Sequence, residues 1–252
     1  MSGHNKWSSI KHRKAAQDAK RGAAFNKIIR EIVVAAKEGG DDLASNYALS
    51  SAIERAKSVN MPKDTMDKAI KRGVGAGSGE NYERLTYEGR GPAGTALIVT
   101  TLTDNKNRTV ADVRHLFAKY GGSLAENGSV SWMFARKGQL VLKGEGLSED
   151  ELLEACAEAG AEDFRFDGEV VEVYCDPADF AAVREWFRQS GKYEVEDTDL
   201  AMVPKEQVEV TDPRGAKTLL KLIDALEEND DVQKVYSNWS MSDEMIEAAV
   251  GE

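Results

Sequence analysis

Residues 138–203 read GQLVLKGEGLSEDELLEACAEAGAEDFRFDGEVVEVYCDPADFAAVREWFRQSGKYEVEDTDLAMV, and the alternation in this stretch decides the fold. Gln139–Leu142 is a short apolar strand. Ser148, with Glu151 three places on, forms a capping box that opens a helix through Ala159. Strands Asp163–Phe166 and Val170–Tyr174 meet at Asp167-Gly168, a strong hairpin turn signal. A helix over Pro177–Gln189 and a strand over Tyr193–Met202 complete the series. The order βαββαβ is the ferredoxin-like pattern.

On either side the chain supplies pieces of another layer. Upstream, strands Glu83–Glu88 and Thr95–Leu102 are joined by the turn Arg90-Gly91-Pro92. A helix starting at Asn107 or Thr109 carries Val110, Val113, Leu116, Phe117 and Tyr120 and closes at Gly121-Gly122, before a strand over Ser129–Phe134. Downstream, helix Arg214–Glu228 and strand Val232–Tyr236 have no partners of their own. Joined to the upstream strands they make a second α+β domain, which the ferredoxin-like segment interrupts. A last amphipathic helix spans Asp243–Val250.

The N-terminal part is helical. Phe25, Ile28, Ile29, Ile32, Val33 and Ala36 recur at helical spacing until Gly39-Gly40. Ser45 is placed to cap a second helix bearing Leu49, Ala52, Ile53, Ala56 and Val59. Pro62 opens a third with Met66, Ala69 and Ile70, ending at Gly73. The fold class is therefore α+β: a three-helix domain followed by two α+β domains, one inserted in the other. The expected bounds are 1–78 for the basic arm and helical domain, 79–136 with 204–252 for the discontinuous domain, and 137–203 for the insertion.

Charge divides the chain as sharply as pattern does. Residues 1–30 hold eight Lys or Arg and one acid, Asp18, a formal +7, while the whole chain is −11. Residues 143–252 hold 10 basic and 30 acidic side chains, net −20. Charge runs at chain ends are commonly just solvated. Here the run leads directly into an amphipathic helix, and Lys6, Arg13, Lys20 and Lys27 fall seven apart, along one side of a helical arm. A polyanion is the natural partner, since paired cations release its condensed counterions. Trp7 and His12 among the cations suit stacking on bases or ribose. The acidic second half would repel a phosphate backbone, so contacts should come from the first half.

The expected nucleic-acid-binding set is Lys6, Trp7, Lys11, His12, Arg13, Lys14, Lys20, Arg21 and Lys27. Lys71 and Arg72 join it, because they precede GVGAGSGEN (73–81), with four glycines in nine positions. Cations at a helix C-terminus are favoured by the dipole alone, and that reading weighs equally for this pair.

No active site emerges. His4, His12 and His115 lack carboxylate or thiolate partners at metal-ligand spacing, and no nucleophile elbow is present. The glycine run lacks a preceding strand and the terminal Lys-Ser/Thr of a phosphate-binding loop. Asp104, Asp112 and Glu126 read as caps or surface carboxylates before they read as a metal site. Cys156 and Cys175 have no ligand spacing and read as core residues of a reducing compartment. No apolar run is long enough to span a bilayer, and the start lacks an apolar signal core. The expectation is a cytoplasmic, monomeric protein without enzymatic activity, cofactor, metal, membrane contact or small-molecule substrate.

Five blocks then carry a resemblance: GHNKWSSIKHRKAAQDAKRGAAFNKIIREI, NMPKDTMDKAIKRG, YEGRGPAGTALIV, TDNKNRTVADVRHLF and GGSLAENGSVSWMF. In this order, over essentially the whole chain, they resemble the YebC/PmpR family, whose mitochondrial members are called translational activators of cytochrome c oxidase. The resemblance implies three domains, two of them α+β with one inserted in the other, and no enzyme. It implies a probable transcriptional regulator that binds DNA. The alternative it carries is a ribosome-associated translation factor that binds ribosomal or transfer RNA and relieves stalling at proline-rich stretches.

Overall fold

The computed structural model describes residues 17–75 and 82–250, with the side chains of 17–23, 243 and 250 outside that description. Three helices come first: α1 (Gln17–Gly39), α2 (Tyr47–Ser58) and α3 (Lys63–Val74). Their stripes meet in a core of Ile32, Val33, Ala36, Leu49, Ala52, Ile53, Ala56 and Met66. The α1–α2 corner is locked by Asn46, not by Ser45. The Asn46 Oδ1 accepts from Leu49 N at 3.0 Å, while its Nδ2 donates to Ala35 O and Gly40 O at 2.7 and 2.8 Å. Ser45 turns back to Asp42 instead. An amide both accepts and donates, so one side chain caps one helix and ties down the end of another.

The first sheet has the order β3-β1-β2-β9 and is antiparallel throughout, from β1 (Glu83–Arg90), β2 (Ala96–Thr103), β3 (Ser123–Ala125) and β9 (Val232–Ser237). One face is covered by α4 (Lys106–Lys119) and α7 (Pro213–Glu228), around Leu97, Val99, Val113, Phe117, Leu219, Ile223 and Val235. α8 (Asp243–Val250) closes the edge of this core with Ile246. Asn105 caps α4, accepting from Arg108 N, so the helix starts earlier than Asn107 or Thr109. Thr109 is buried and donates to Asp231.

The second sheet, β5-β6-β4-β7, is the ferredoxin-like order. It comprises β4 (Phe134–Lys143), β5 (Asp163–Phe166), β6 (Val170–Cys175) and β7 (Val195–Pro204). α5 (Glu149–Ala159) and α6 (Phe180–Ser190) cover it through Leu140, Leu142, Leu152, Val171, Val173, Val183 and Phe187. The Ser148–Glu151 capping box is present, and Gly168 takes the positive φ of 92° that its turn demands. Two expectations are corrected here. Ser129–Phe134 is not a strand: Ser131–Met133 forms a 3₁₀ turn, and Phe134 begins a single ten-residue strand that absorbs Gln139–Leu142. α6 begins at Phe180 and not at Pro177, because Asp176 Oδ1 accepts from Ala178 N at 2.8 Å and holds a turn first. A two-stranded parallel ladder, β8 (Val208–Glu209) with β10 (Trp239–Ser240), ties together two segments of the downstream half of the discontinuous layer. The mixed α+β class with a helical N-terminal region stands.

Candidate nucleic-acid interface

The interface candidates hang from α1, and α1 is fastened by its middle. Arg30 donates to Asp230 O at 2.6 Å and to Asp231 Oδ1 at 2.7 Å, and Lys27 donates to Glu227 O. Asp231 is 3% exposed. It also accepts from Arg108 Nη2 at 2.9 Å and from Thr109 Oγ1 at 2.8 Å. Burial alone would raise its pKa. The Arg108 and Thr109 hydrogen bonds and the Arg108 and Arg30 charges outweigh it and hold the carboxyl below the ordinary aspartate range. One buried carboxylate thus joins the first helix to both α4 and the β9 entry. Lys27, expected among the nucleic-acid contacts, is spent on this junction.

Lys6, Trp7, Lys11, His12, Arg13 and Lys14 lie outside the described residues. Lys20 and Arg21 fall on the first turns of α1, with their side chains outside the description. Lys71 and Arg72 are exposed in the last turn of α3. Gly73 packs directly on α1: a Cβ there would lie 2.5 Å from Val33 O and 2.7 Å from the Ala36 Cβ. The α3 end is therefore beside residues 33–37. Lys20 is sixteen residues earlier on the same helix, about 24 Å away at the α-helical rise. Among the described residues, Lys20 and the Lys71–Arg72 pair stand apart along the length of one helix.

A cleft of about 680 Å³ opens where the helices, the first sheet and the second sheet meet. Its floor is the face of the first sheet opposite α4 and α7, including Arg84, Thr86, Ile98, Thr100 and Tyr236. Its walls include Glu31, Arg55, Arg136 and Asp199. Glu31 is ion-paired with Arg55. Lys234 meets Asp199 at 3.0 Å, and Tyr236 Oη donates to the same carboxylate at 2.8 Å. Burial would raise the Asp199 pKa, but Lys234 and Tyr236 together hold it down. For Glu31 burial wins over Arg55, and its pKa is raised. Arg84 and Arg136 form no ion pair among the described residues, and both are exposed. No local sequence signal marks this cleft, because its residues come from α1, α2, β1, β2, the Ser131 turn, β4, α6, β7 and β9.

Nothing assembled here resembles a reaction centre. Among the described residues, no three His, Cys, Asp or Glu side chains gather to hold a metal. Asp104 pairs with Arg108 at 2.8 Å, and His115 is exposed on α4. Cys156 and Cys175 are buried free thiols, each pushed up to about 11 by burial, so neither is a poised nucleophile. Among the described residues, no helix is long and apolar enough to cross a membrane.

Comparison with known proteins agrees with the fold. A family model described as the TACO1/YebC protein N-terminal domain matches residues 5–76, and one described as the TACO1/YebC second and third domain matches residues 82–239. A probable transcriptional regulatory protein of Magnetococcus marinus is 51% identical over 247 residues, covering 98% of both chains. One of Halothermothrix orenii is 48% identical over the full length of both. A crystal structure of a conserved hypothetical protein from Aquifex aeolicus superposes with a TM-score of 0.85 at 43% identity, covering 93% of this chain and 96% of that one. This chain belongs to the TACO1/YebC family.

Proposed function

We propose that the protein is a non-enzymatic regulator of gene expression that binds nucleic acid through its basic N-terminal stretch. The observation that carries this is charge segregation: +7 in the first thirty residues of a chain that is −11 overall. The family relatives named as probable transcriptional regulatory proteins support the same reading. The contacts are Lys6, Trp7, Lys11, His12, Arg13, Lys14, Lys20 and Arg21, with Lys71 and Arg72 as a second point. Cations of this kind grip phosphates, which position a partner without reading its sequence. Replacing Lys11, Arg13 and Lys14 by Glu should abolish binding in a gel-shift or anisotropy assay and leave the melting temperature unchanged. Normal binding by that variant would place the interface elsewhere.

Two targets fit. Duplex DNA is the reading that the relatives' names favour. Ribosomal or transfer RNA is favoured by the pairing of a basic stretch with the glycine-rich segment that follows Lys71 and Arg72, which suits an irregular backbone recognised by shape. Co-sedimentation with ribosomes at ~150 mM salt under excess duplex DNA separates them, since nonspecific phosphate binding weakens at that salt. Pelleting with ribosomes makes the protein a translation factor. Retention by the DNA makes it a transcriptional one.

A further inference from the structure

Trp132 is 63% exposed, an unusual position for the largest side chain. The loop that carries it is held from several sides. Glu88, 5% exposed on β1, accepts from Gly128 N, Val130 N and Ser131 N at 2.7, 2.7 and 2.9 Å. Burial would raise the Glu88 pKa, but these three backbone donors hold it below the ordinary range. The indole Nε1 donates to Ser129 O at 3.1 Å, and Lys205 Nζ donates to Trp132 O at 2.9 Å. Gly128 takes a φ of 87°, which a side chain would strain. The ring is fixed at its Nε1 edge while most of the residue stays exposed, as a stacking platform requires.

The platform adjoins the three-way cleft, because Ser131 lines it. The charge balance inside that cleft is uneven. Glu31 pairs with Arg55, and Lys234 is shared between Asp199 at 3.0 Å and Asp197 at 3.7 Å. Arg84 and Arg136 remain without an ion pair among the described residues, and Lys205 lies against the Trp132 carbonyl. The volume, about 680 Å³, is in the range that takes a nucleotide-sized ligand. Within its lining, Thr100 pairs with Lys234 while Thr101 pairs with Val232, so Gln233 is the extra residue of a β-bulge. Its amide nitrogen and oxygen are buried without a hydrogen-bond partner. Bulges commonly re-aim a side chain beside a functional site.

We propose that Trp132 and this cleft bind an unpaired stretch of the nucleic-acid partner, one base stacked on the indole and flanking phosphates held by Arg136 and Arg84. The proposal rests on the nucleic-acid reading above and adds a second, single-strand-selective surface built from other residues. A duplex cannot offer a base face to an isolated indole without unstacking, so the site discriminates by strandedness and not by sequence.

The test is fluorescence anisotropy with a labelled 12-nucleotide oligo-uridine and a duplex of the same length, using the full chain. Trp132→Ala should weaken the single strand about 5- to 100-fold, the scale of one base–aromatic stack, and leave duplex affinity unchanged. Trp132→Phe should restore most of the loss. Arg84→Ala with Arg136→Ala should lower the salt slope for the single strand by about two. Melting temperatures of these surface variants should match the parent, which checks the fold. Unchanged single-strand affinity in both Trp132→Ala and the double arginine variant overturns the proposal while the arm reading stands, and leaves Trp132 to a protein partner. Failure of the parent protein to bind either probe overturns both.

Discussion

Asp231 is the residue on which most of the inter-element order depends. It is a buried carboxylate facing two arginines and a threonine, Arg30, Arg108 and Thr109. Removing it takes the carboxylate acceptor from the buried Thr109, while Arg30 and Arg108 are partly exposed and keep the Asp230 carbonyl and Asp104 as partners, so the cost is about 1–3 kcal/mol. Asp231→Ala should therefore lower stability by that order at neutral pH, measured by urea unfolding. The pH dependence follows from the sign of the shift. The folded-state pKa lies below the unfolded value, so the stabilisation is fully present above the unfolded aspartate range and is lost as pH falls through the folded value. Asp199 and Glu88 are shifted in the same direction and add to the same acid limb. The gap between parent and Asp231→Ala should narrow as pH drops below about 4, near the ordinary aspartate pKa. A gap that stays constant down to pH 2 would mean that the charge of Asp231 does not carry the effect.

At the scale of elements, the contact between α1 and α3 sets where Lys71 and Arg72 stand. Gly73 is buried in that contact, and a Cβ would press on the Val33 carbonyl and the Ala36 methyl. Gly73→Ala should cost about 1–3 kcal/mol through overpacking, despite the better helix propensity of Ala. Thermal unfolding checks it, and an unchanged or raised melting temperature would show that the helices part freely. The glycine was legible in the sequence only as a helix end; its packing role needed the partner helix. The same limit explains the other misses. Capping residues were read within one residue or two, but Asn46 displaced Ser45 because its amide also reaches Ala35 and Gly40, a tertiary demand. The ferredoxin-like order was legible because strands, caps and the Asp167-Gly168 turn are all local signals. The long β4 was not, since Ser131–Met133 turns only under the hold of Glu88, over forty residues away. The charge of the arm was plain from composition, whereas the commitment of Lys27 to Glu227 and the exposure of Trp132 were not.

For the whole molecule, the question is how separable its parts are. We propose the divisions 1–78, 79–136 with 204–252, and 137–203 as its folding units; the family models, which break between residues 76 and 82, support the first. Two kinds of contact oppose separation. The helical part is tied to the discontinuous part by Arg30–Asp231, and the inserted part by Lys234–Asp199 together with apolar packing of Met202 against the cluster of Ala96, Ile98, Val130 and Phe134. Ion pairs at such junctions are worth less than an apolar seam, because their desolvation offsets much of the attraction. The first division should therefore yield before the second. Limited proteolysis should cut first within the glycine-rich residues 73–81, which connect α3 to β1, and release the helical part while 82–250 persists as one resistant fragment. Raising salt to about 1 M, where the screening length falls to about 3 Å, should speed that first cut and leave later ones little changed. A first cleavage inside 137–203, or release of that segment alone, would reverse the order and place the weaker seam between the two sheets.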